Sequence, residues 1–253
     1  MVKLRFSEMQ RLFRPSLQVF SKNSSRVPLP FNQTIQIRAR SVLHSRNGRP
    51  QRIIVAVTGA TGAPLAVTLL HRLRELGIET HLIMSKWGSA TLKYELDAPN
   101  NTPQYLESLA SVTYSPLDVS ASISSGSFRT DGMIVVPCSM KTLAGIRMGY
   151  DNDLIVRAAS VTLKERRRLV LVARETPLSS IHLENMLELA KASAVVFPPV
   201  MAFYTRPNSI QDMVDQSVMR MMDLLDLNLV DEEDEDGGRW TGFDWVAKGK
   251  PKL

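Results

Sequence analysis

The sequence predicts an α/β fold, a three-layer sandwich built on a parallel sheet, and three observations lead there. Short, mostly apolar runs rich in β-branched residues recur at 53–57, 79–84, 131–136, 169–173 and 194–197. Runs that stay apolar suit parallel strands covered on both faces. The stretches between them carry leucine and methionine at helical spacing, and this alternation builds a parallel sheet with right-handed crossovers, here of five or six strands. Finally, 253 residues at 44% hydrophobic content fit one large domain with appendages better than two domains.

The first strand enters the turn Thr58-Gly59-Ala60-Thr61-Gly62-Ala63, and a helix follows with Leu65, Leu69, Leu70, Leu73 and Leu76. Gly59 and Gly62 let the backbone approach a ligand, and the free N–H groups of the helix then face an anion. The stretch has the shape of a phosphate cradle, and equally that of a tight βα turn with no ligand. The second strand, 79–84, is followed by Ser85 and a helix to about Leu96. A dinucleotide fold of the NAD type places Asp or Glu near this point for the ribose hydroxyls, and G-x-G-x-x-G in the first turn. Neither is present. A mononucleotide such as FMN, held as in flavodoxin-like sheets, suits these residues better, and Lys86 leaves only a narrow opening for NADP.

Residues 97–102 (DAPNNT) read as a loop, and 112–126 as a short extended piece followed by a Ser/Gly connector. The strand 131–136 leads into Pro137-Cys138-Ser139-Met140-Lys141-Thr142 and a helix through Met148. This is a second strand-to-helix junction with hydroxyls and a cation. Ser139 there also fits a plain N-cap, and Cys138 a small buried residue with no base beside it. A helix over 151–164 carries Arg157 and ends in the charged turn ERRR, and the strand 169–173 ends in Arg174-Glu175-Thr176-Pro177. A helix over about 180–192, the strand 194–197, the segment PPVMAFYTRP and a helix over about 209–227 complete the body.

The appendages explain the charge. Residues 1–52 hold eleven Lys and Arg against Glu8, which is +10, so the chain's +6 leaves 6 − 10 = −4 for the remainder. The basic pI belongs to the leader, which removes most of the case for a nucleic-acid binder. The leader, 1–51, is rich in Arg and Ser and poor in acids, the composition of a mitochondrial transit peptide. A basic arm for RNA or anionic lipid is the competing reading, and it lacks interleaved aromatic residues. The tail, 229–253, opens on the acidic run DEEDED at 231–236. No apolar run is long enough for a membrane span. One cysteine, Cys138, and four histidines without ligand spacing predict no metal site.

In an open parallel sheet, ligands bind beyond the carboxyl ends of the strands. Gly59, Ala60 and Thr61, Ser85, Ser139 to Thr142, Arg174 with Glu175, and Tyr204 all fall there. Arg174 offers phosphate a bidentate partner, and Glu175 beside it is a candidate proton-transfer group.

These residues carry a resemblance. TGATGA after a strand, PCSMKTLAGI, DNDLIVRAASVTLKERRRLVLVARETPLSSIHLENM and PPVMAFYTRP resemble the flavin prenyltransferases, the UbiX/Pad family formerly labelled aromatic-acid decarboxylases, across residues 52–227. The leader makes the chain similar to the fungal mitochondrial members. The resemblance implies a flavodoxin-like subunit in a dodecamer that binds reduced FMN. It also implies the joining of dimethylallyl phosphate or diphosphate to flavin N5 and C6, giving prenylated FMN for a UbiD-type aromatic or cinnamic acid decarboxylase. Carried over, FMN would be held by Gly59, Ala60, Thr61, Ser85, Ser139, Met140, Lys141, Thr142 and Arg174. Lys164, Tyr204 and Arg220 would meet the isoprenoid phosphate, with Glu95 and Glu175 lining the reacting centre, in sites shared between subunits. Thr61 stands where many members have serine; it keeps the hydroxyl and adds a methyl group. An FMN-dependent decarboxylase of the cysteine-decarboxylase type and a non-catalytic flavin-binding subunit are the alternatives.

Overall fold

The sheet grows outward from β1 (Arg52–Val57), which is buried on both faces beyond Arg52. Residues 48–227 are described by the computed structural model. The neighbours of β1 are β2 (Glu79–Met84) and β4 (Gly132–Cys138), both parallel, with Val57 opposite Met84 and Ala56 opposite Val135. β3 (Val112–Tyr114) lies outside β2, and β5 (Arg168–Ala173) and β6 (Val195–Val196) lie beyond β4. The order β3-β2-β1-β4-β5-β6 is parallel throughout. Without the three-residue edge strand β3, the remaining five follow the flavodoxin order.

From β1 the chain winds to one side as far as β3 and then to the other from β4. Right-handed crossovers therefore require helices on opposite faces. α1 (Ala63–Glu75) and α3 (Pro103–Leu109) cover one face with α7 (Ile210–Leu224), which packs on α1. α4 (Met140–Met148), α5 (Leu154–Lys164) and α6 (Ser180–Lys191) cover the other, and α2 (Lys86–Glu95) follows β2. Alternate side chains of β1 enter the two cores. Ile53, Val55 and Val57 meet Leu69, Leu70 and Leu73 of α1 and Met221 of α7. Ile54 and Ala56 share the other core with Leu143 of α4 and Ala158 and Ala159 of α5. Truncating one of these leucines to alanine costs about 2–5 kcal/mol.

The strands and most helices fall where the sequence predicts them. α3 is an addition: Thr102 accepts the Tyr105 N–H at 3.2 Å and Pro103 occupies the first turn, which starts a short helix just after the expected loop. α5 begins at Leu154 because Asp153 caps it, and Asp151 is engaged by Arg157 and Ser160 instead. The leader at 1–51 and the tail at 229–253 lie outside the described residues apart from 48–51. There Arg49 grips both oxygens of Asp131 at 2.9 and 3.1 Å. No described helix is long and apolar enough to cross a membrane, and no described group of His, Cys, Asp and Glu could hold a metal.

Candidate functional site

The winding reverses between β1 and β4, and a parallel sheet opens a crevice at such a point, beyond its strand ends. The strand ends here are tied into one row. The Ser85 N–H donates to the Val57 carbonyl at 2.9 Å. Thr58, buried, donates its hydroxyl to the Pro137 carbonyl at 2.8 Å and accepts the Ser139 N–H at 2.8 Å. The Arg174 N–H donates to the Cys138 carbonyl at 3.2 Å. The row crosses β2, β1, β4 and β5, three inter-strand steps or roughly 14 Å. Thr58 escapes a sequence reading because its partners lie some eighty residues away.

The hydroxyls predicted to touch ligand serve the protein first. Ser85 caps α2 by accepting the Gly88 N–H at 3.0 Å. Ser139 caps α4, accepting the Thr142 N–H at 3.4 Å and donating to the buried Thr142 hydroxyl at 3.1 Å. The plain N-cap reading of Ser139 therefore holds. Above these caps, the first amides of α2 (Lys86, Trp87) and α4 (Met140, Lys141) make no hydrogen bond with other described residues. The Lys141 ammonium lies 3.7 Å from Asp153 and is three-quarters exposed, a pair worth about 0–1 kcal/mol. Cys138 is fully buried, and burial pushes its thiol up to about 12, so it takes no part as a nucleophile.

Glycines make the close approaches. A Cβ on Gly59 would stand 2.3 Å from Trp87 Cβ, and one on Gly88 would stand 2.6 Å from the Val57 carbonyl oxygen. The start of α2 thus lies directly on the β1–α1 turn, with Ala60 and Thr61 at its rim. Gly62 has φ +127, a backbone conformation that glycine adopts without strain. The cradle amides are engaged from within the chain: Glu95 accepts the Gly62 N–H at 2.8 Å and the Ala63 N–H at 2.7 Å. This part of the turn binds an anion, as its geometry predicts, and that anion is a side-chain carboxylate.

Arg174 and Glu175 follow β5 at the same edge and are exposed; among the described residues the Arg174 guanidinium makes no hydrogen bond or ion pair. Glu175 accepts the Thr176 N–H at 3.0 Å. Tyr204, in the segment after β6, is half exposed and accepts from Gln216 at 3.4 Å. Lys164 is elsewhere. It ends α5 just before β5 begins, so the length of β5, roughly 20 Å, separates it from Arg174. There it meets Glu165 at 2.5 Å, holding that carboxyl below its usual range. Arg220 sits towards the end of α7, paired with Asp223 at 2.5 Å, and α7 runs from the Tyr204 edge back towards the opposite one. One chain thus gathers Gly59 to Thr61, Ser85, Ser139 to Thr142, Arg174, Glu175 and Tyr204 at one edge, and keeps Lys164 away from it.

The family model described as Flavoprotein matches residues 41–222. The mitochondrial flavin prenyltransferase PAD1 of Saccharomyces cerevisiae is 61% identical over 195 residues, 77% of each chain. Flavin prenyltransferase UbiX of Escherichia coli is 47% identical over 193 residues, 76% of this chain and 99% of its own. Among solved structures, AnUbiX (PadA1) in complex with FMN and dimethylallyl pyrophosphate superposes with a TM-score of 0.71 at 56% identity, covering 78% of this chain and 100% of that one. A dodecameric FMN-dependent UbiX-like decarboxylase from Escherichia coli O157:H7 superposes at 0.70 with 50% identity, covering 76% and 100%.

Proposed function

This chain belongs to the flavoprotein family, among its flavin prenyltransferases, and from that premise we propose that it joins a dimethylallyl group to N5 and C6 of reduced FMN. The observation that carries the proposal is the row of strand ends at the switch point, with Arg174 and Glu175 at its β5 end. The residues fit a flavin mononucleotide. Gly59 and Gly62 bring backbone close, the first amides of α2 and α4 are donors, and Arg174 supplies a fork for phosphate. Reduced FMN supplies the electron-rich N5 and C6 when bound.

The chain's own residues handle the other charges. Breaking the allylic C–O bond builds negative charge on the leaving phosphate. Lys164 and Arg220, brought by a neighbouring copy, neutralise that charge, and the Tyr204 hydroxyl donates to it. Removing one such donor costs on the order of 10²–10³ in rate. Glu175 accepts the proton that leaves C6 and returns it to the phosphate. Glu95 fixes the turn at Gly62 and Ala63 beside the reacting centre.

Assembly follows from the placement of Lys164. The protein works as an oligomer, a dodecamer by likeness to the Escherichia coli O157:H7 relative, and Ile181, Leu183 and Leu187 leave apolar side chains exposed on α6. A mitochondrial location is supported by the yeast relative and the leader's composition, and the product goes to a UbiD-type decarboxylase. The deciding experiment incubates the protein anaerobically with reduced FMN and either dimethylallyl phosphate or the diphosphate. The expected product is a flavin heavier by one C5 unit, and its absence with both donors overturns the proposal.

A further inference from the structure

Lys164 has a wall on one side. The Ser/Gly connector lies against it: a Cβ on Gly126 would stand 2.8 Å from the Lys164 ammonium, and closer still to the Glu165 carboxylate which that ammonium meets. Only a residue without a side chain lets the ion pair rest on the connector's backbone. Whatever fixes this backbone therefore bears on where the ammonium points.

Past Ser125, bonds within the connector are few. The Phe128 N–H donates to the Ser125 carbonyl at 3.2 Å, and the Ser125 and Ser127 hydroxyls meet at 2.9 Å. The rest of the grip comes from other elements. Arg157 donates to the Ser124 carbonyl at 3.1 Å. One nitrogen of Arg167 donates to the Gly126 carbonyl at 2.6 Å, and another to the Phe128 carbonyl at 3.0 Å and the Thr130 hydroxyl at 3.3 Å. The Phe128 ring lies under the Arg52 guanidinium at 4.4 Å and edge-on to His81 at 5.3 Å.

Arg167 differs from the other holds because it joins the wall to the element that carries Lys164. It follows Lys164 by three residues, and its N–H donates to the Thr162 carbonyl at 2.9 Å, closing the turn from α5 into β5. Burial holds its guanidinium below the usual range, with Glu165 and Asp131 opposing that pull. A planar fork serves two carbonyls two residues apart at once, and an ammonium on a flexible stem is a point charge that does not. We propose that Arg167 is a positioning residue for prenyl transfer: by fixing the Gly126 and Phe128 carbonyls it holds the wall on which Lys164 rests, and so sets where that ammonium meets the donor phosphate of a neighbouring copy. The inference rests on the assignment of Lys164 to that phosphate. Arg167 acts through Lys164 and not on the donor.

The test is a double-mutant cycle on donor affinity. Dimethylallyl phosphate is titrated calorimetrically into the assembled protein loaded with oxidised FMN, whose N5 is not electron-rich, so binding is read without turnover. Arg167→Lys should weaken the donor about tenfold and change FMN affinity by less than about twofold. In a Lys164→Ala background the same substitution should change donor affinity by less than about twofold, because its route is already gone. Gly126→Ala leaves Arg167 in place; its Cβ meets the far ends of two flexible side chains, and the backbone there is not left-handed. It should reproduce both the loss and the silence without Lys164, and it decides the matter alone if Arg167→Lys does not assemble. The inference is overturned if the loss is as large without Lys164 as with it, if donor affinity stays at the parent's, or if FMN affinity falls in step. Donor affinity unchanged in Lys164→Ala itself is a different failure, which removes the assignment of Lys164 and this inference with it.

Discussion

Lys164 and Glu175 flank β5, one before it and one after, so a strand of six residues, roughly 20 Å, holds them apart in any one chain. If both act on the same donor phosphate, each centre combines Glu175 of one copy with Lys164 of the next. Lys164→Ala and Glu175→Gln should each reduce prenylated-flavin formation by about 10²–10³. Co-expressed at equal levels and randomly assembled, the two variants regenerate a whole centre only where a Lys164→Ala copy receives its neighbour's lysine from a Glu175→Gln copy. The chance is one half times one half, so about 25% of parent activity should return from two samples that each show about 1% or less. The assay is chromatographic separation of the flavin with mass detection, normalised to total chain. A mixture no better than the average of its two parents would refute the reasoning, because the two residues would then be acting from a single chain.

Three further outcomes are expected. Thr58→Val strips the Ser139 N–H of its acceptor in a part-buried site, which should cost about 1–3 kcal/mol in urea unfolding; Thr58→Ser should restore most of it, and equal losses in both would show that the hydroxyl is not what matters. Gly59→Ala places a Cβ 2.3 Å from Trp87 Cβ, so the turn must shift, and FMN affinity measured by fluorescence titration should fall about tenfold or more; an unchanged affinity would sever this turn from the flavin. Acidification should destabilise the fold through the pair at the start of β2. Burial holds His81 below the ordinary imidazole value of 6.5. Burial raises Glu79, but the Arg52 and His81 hydrogen bonds outweigh it and leave the carboxyl below 4.5. In both cases the unfolded chain binds more protons, so the contribution is complete above 6.5, erodes as pH falls through that value as His81 dominates, and erodes again below 4.5. His81→Gln should flatten the stability slope between about pH 6.5 and 5, and parallel slopes would exclude His81 as its source.

The sheet was legible because residues 53–57 and 169–173 are apolar at every position, short, rich in β-branched side chains and followed by turn residues, which together mark buried parallel strands. α3 was not, since seven residues give too little periodicity, although Thr102 followed by Pro103 is an N-terminal signal. The site was legible as a set of strand ends: glycines at 59 and 62, hydroxyls at 85 and 139, the cation at 174. Its internal wiring was not. Thr58 acts through β4, and Glu95 reaches back 33 residues to Gly62, contacts that only the closed fold creates. The remoteness of Lys164 could have been read in advance, because a residue just ahead of a parallel strand lies at the opposite edge from one just after it.

Ser85, Ser139, Thr58 and Glu95 each satisfy a backbone amide of the row from within the chain. An enzyme that keeps its flavin for life can let that flavin hold the pocket open. Here the flavin leaves at the end of every catalytic cycle, changed, and the protein must outlast each departure. Wiring made within the chain, which leaves only the outermost donors to the ligand, lets the crevice keep its shape between release of one product and arrival of the next flavin, so that turnover proceeds without refolding its own binding wall.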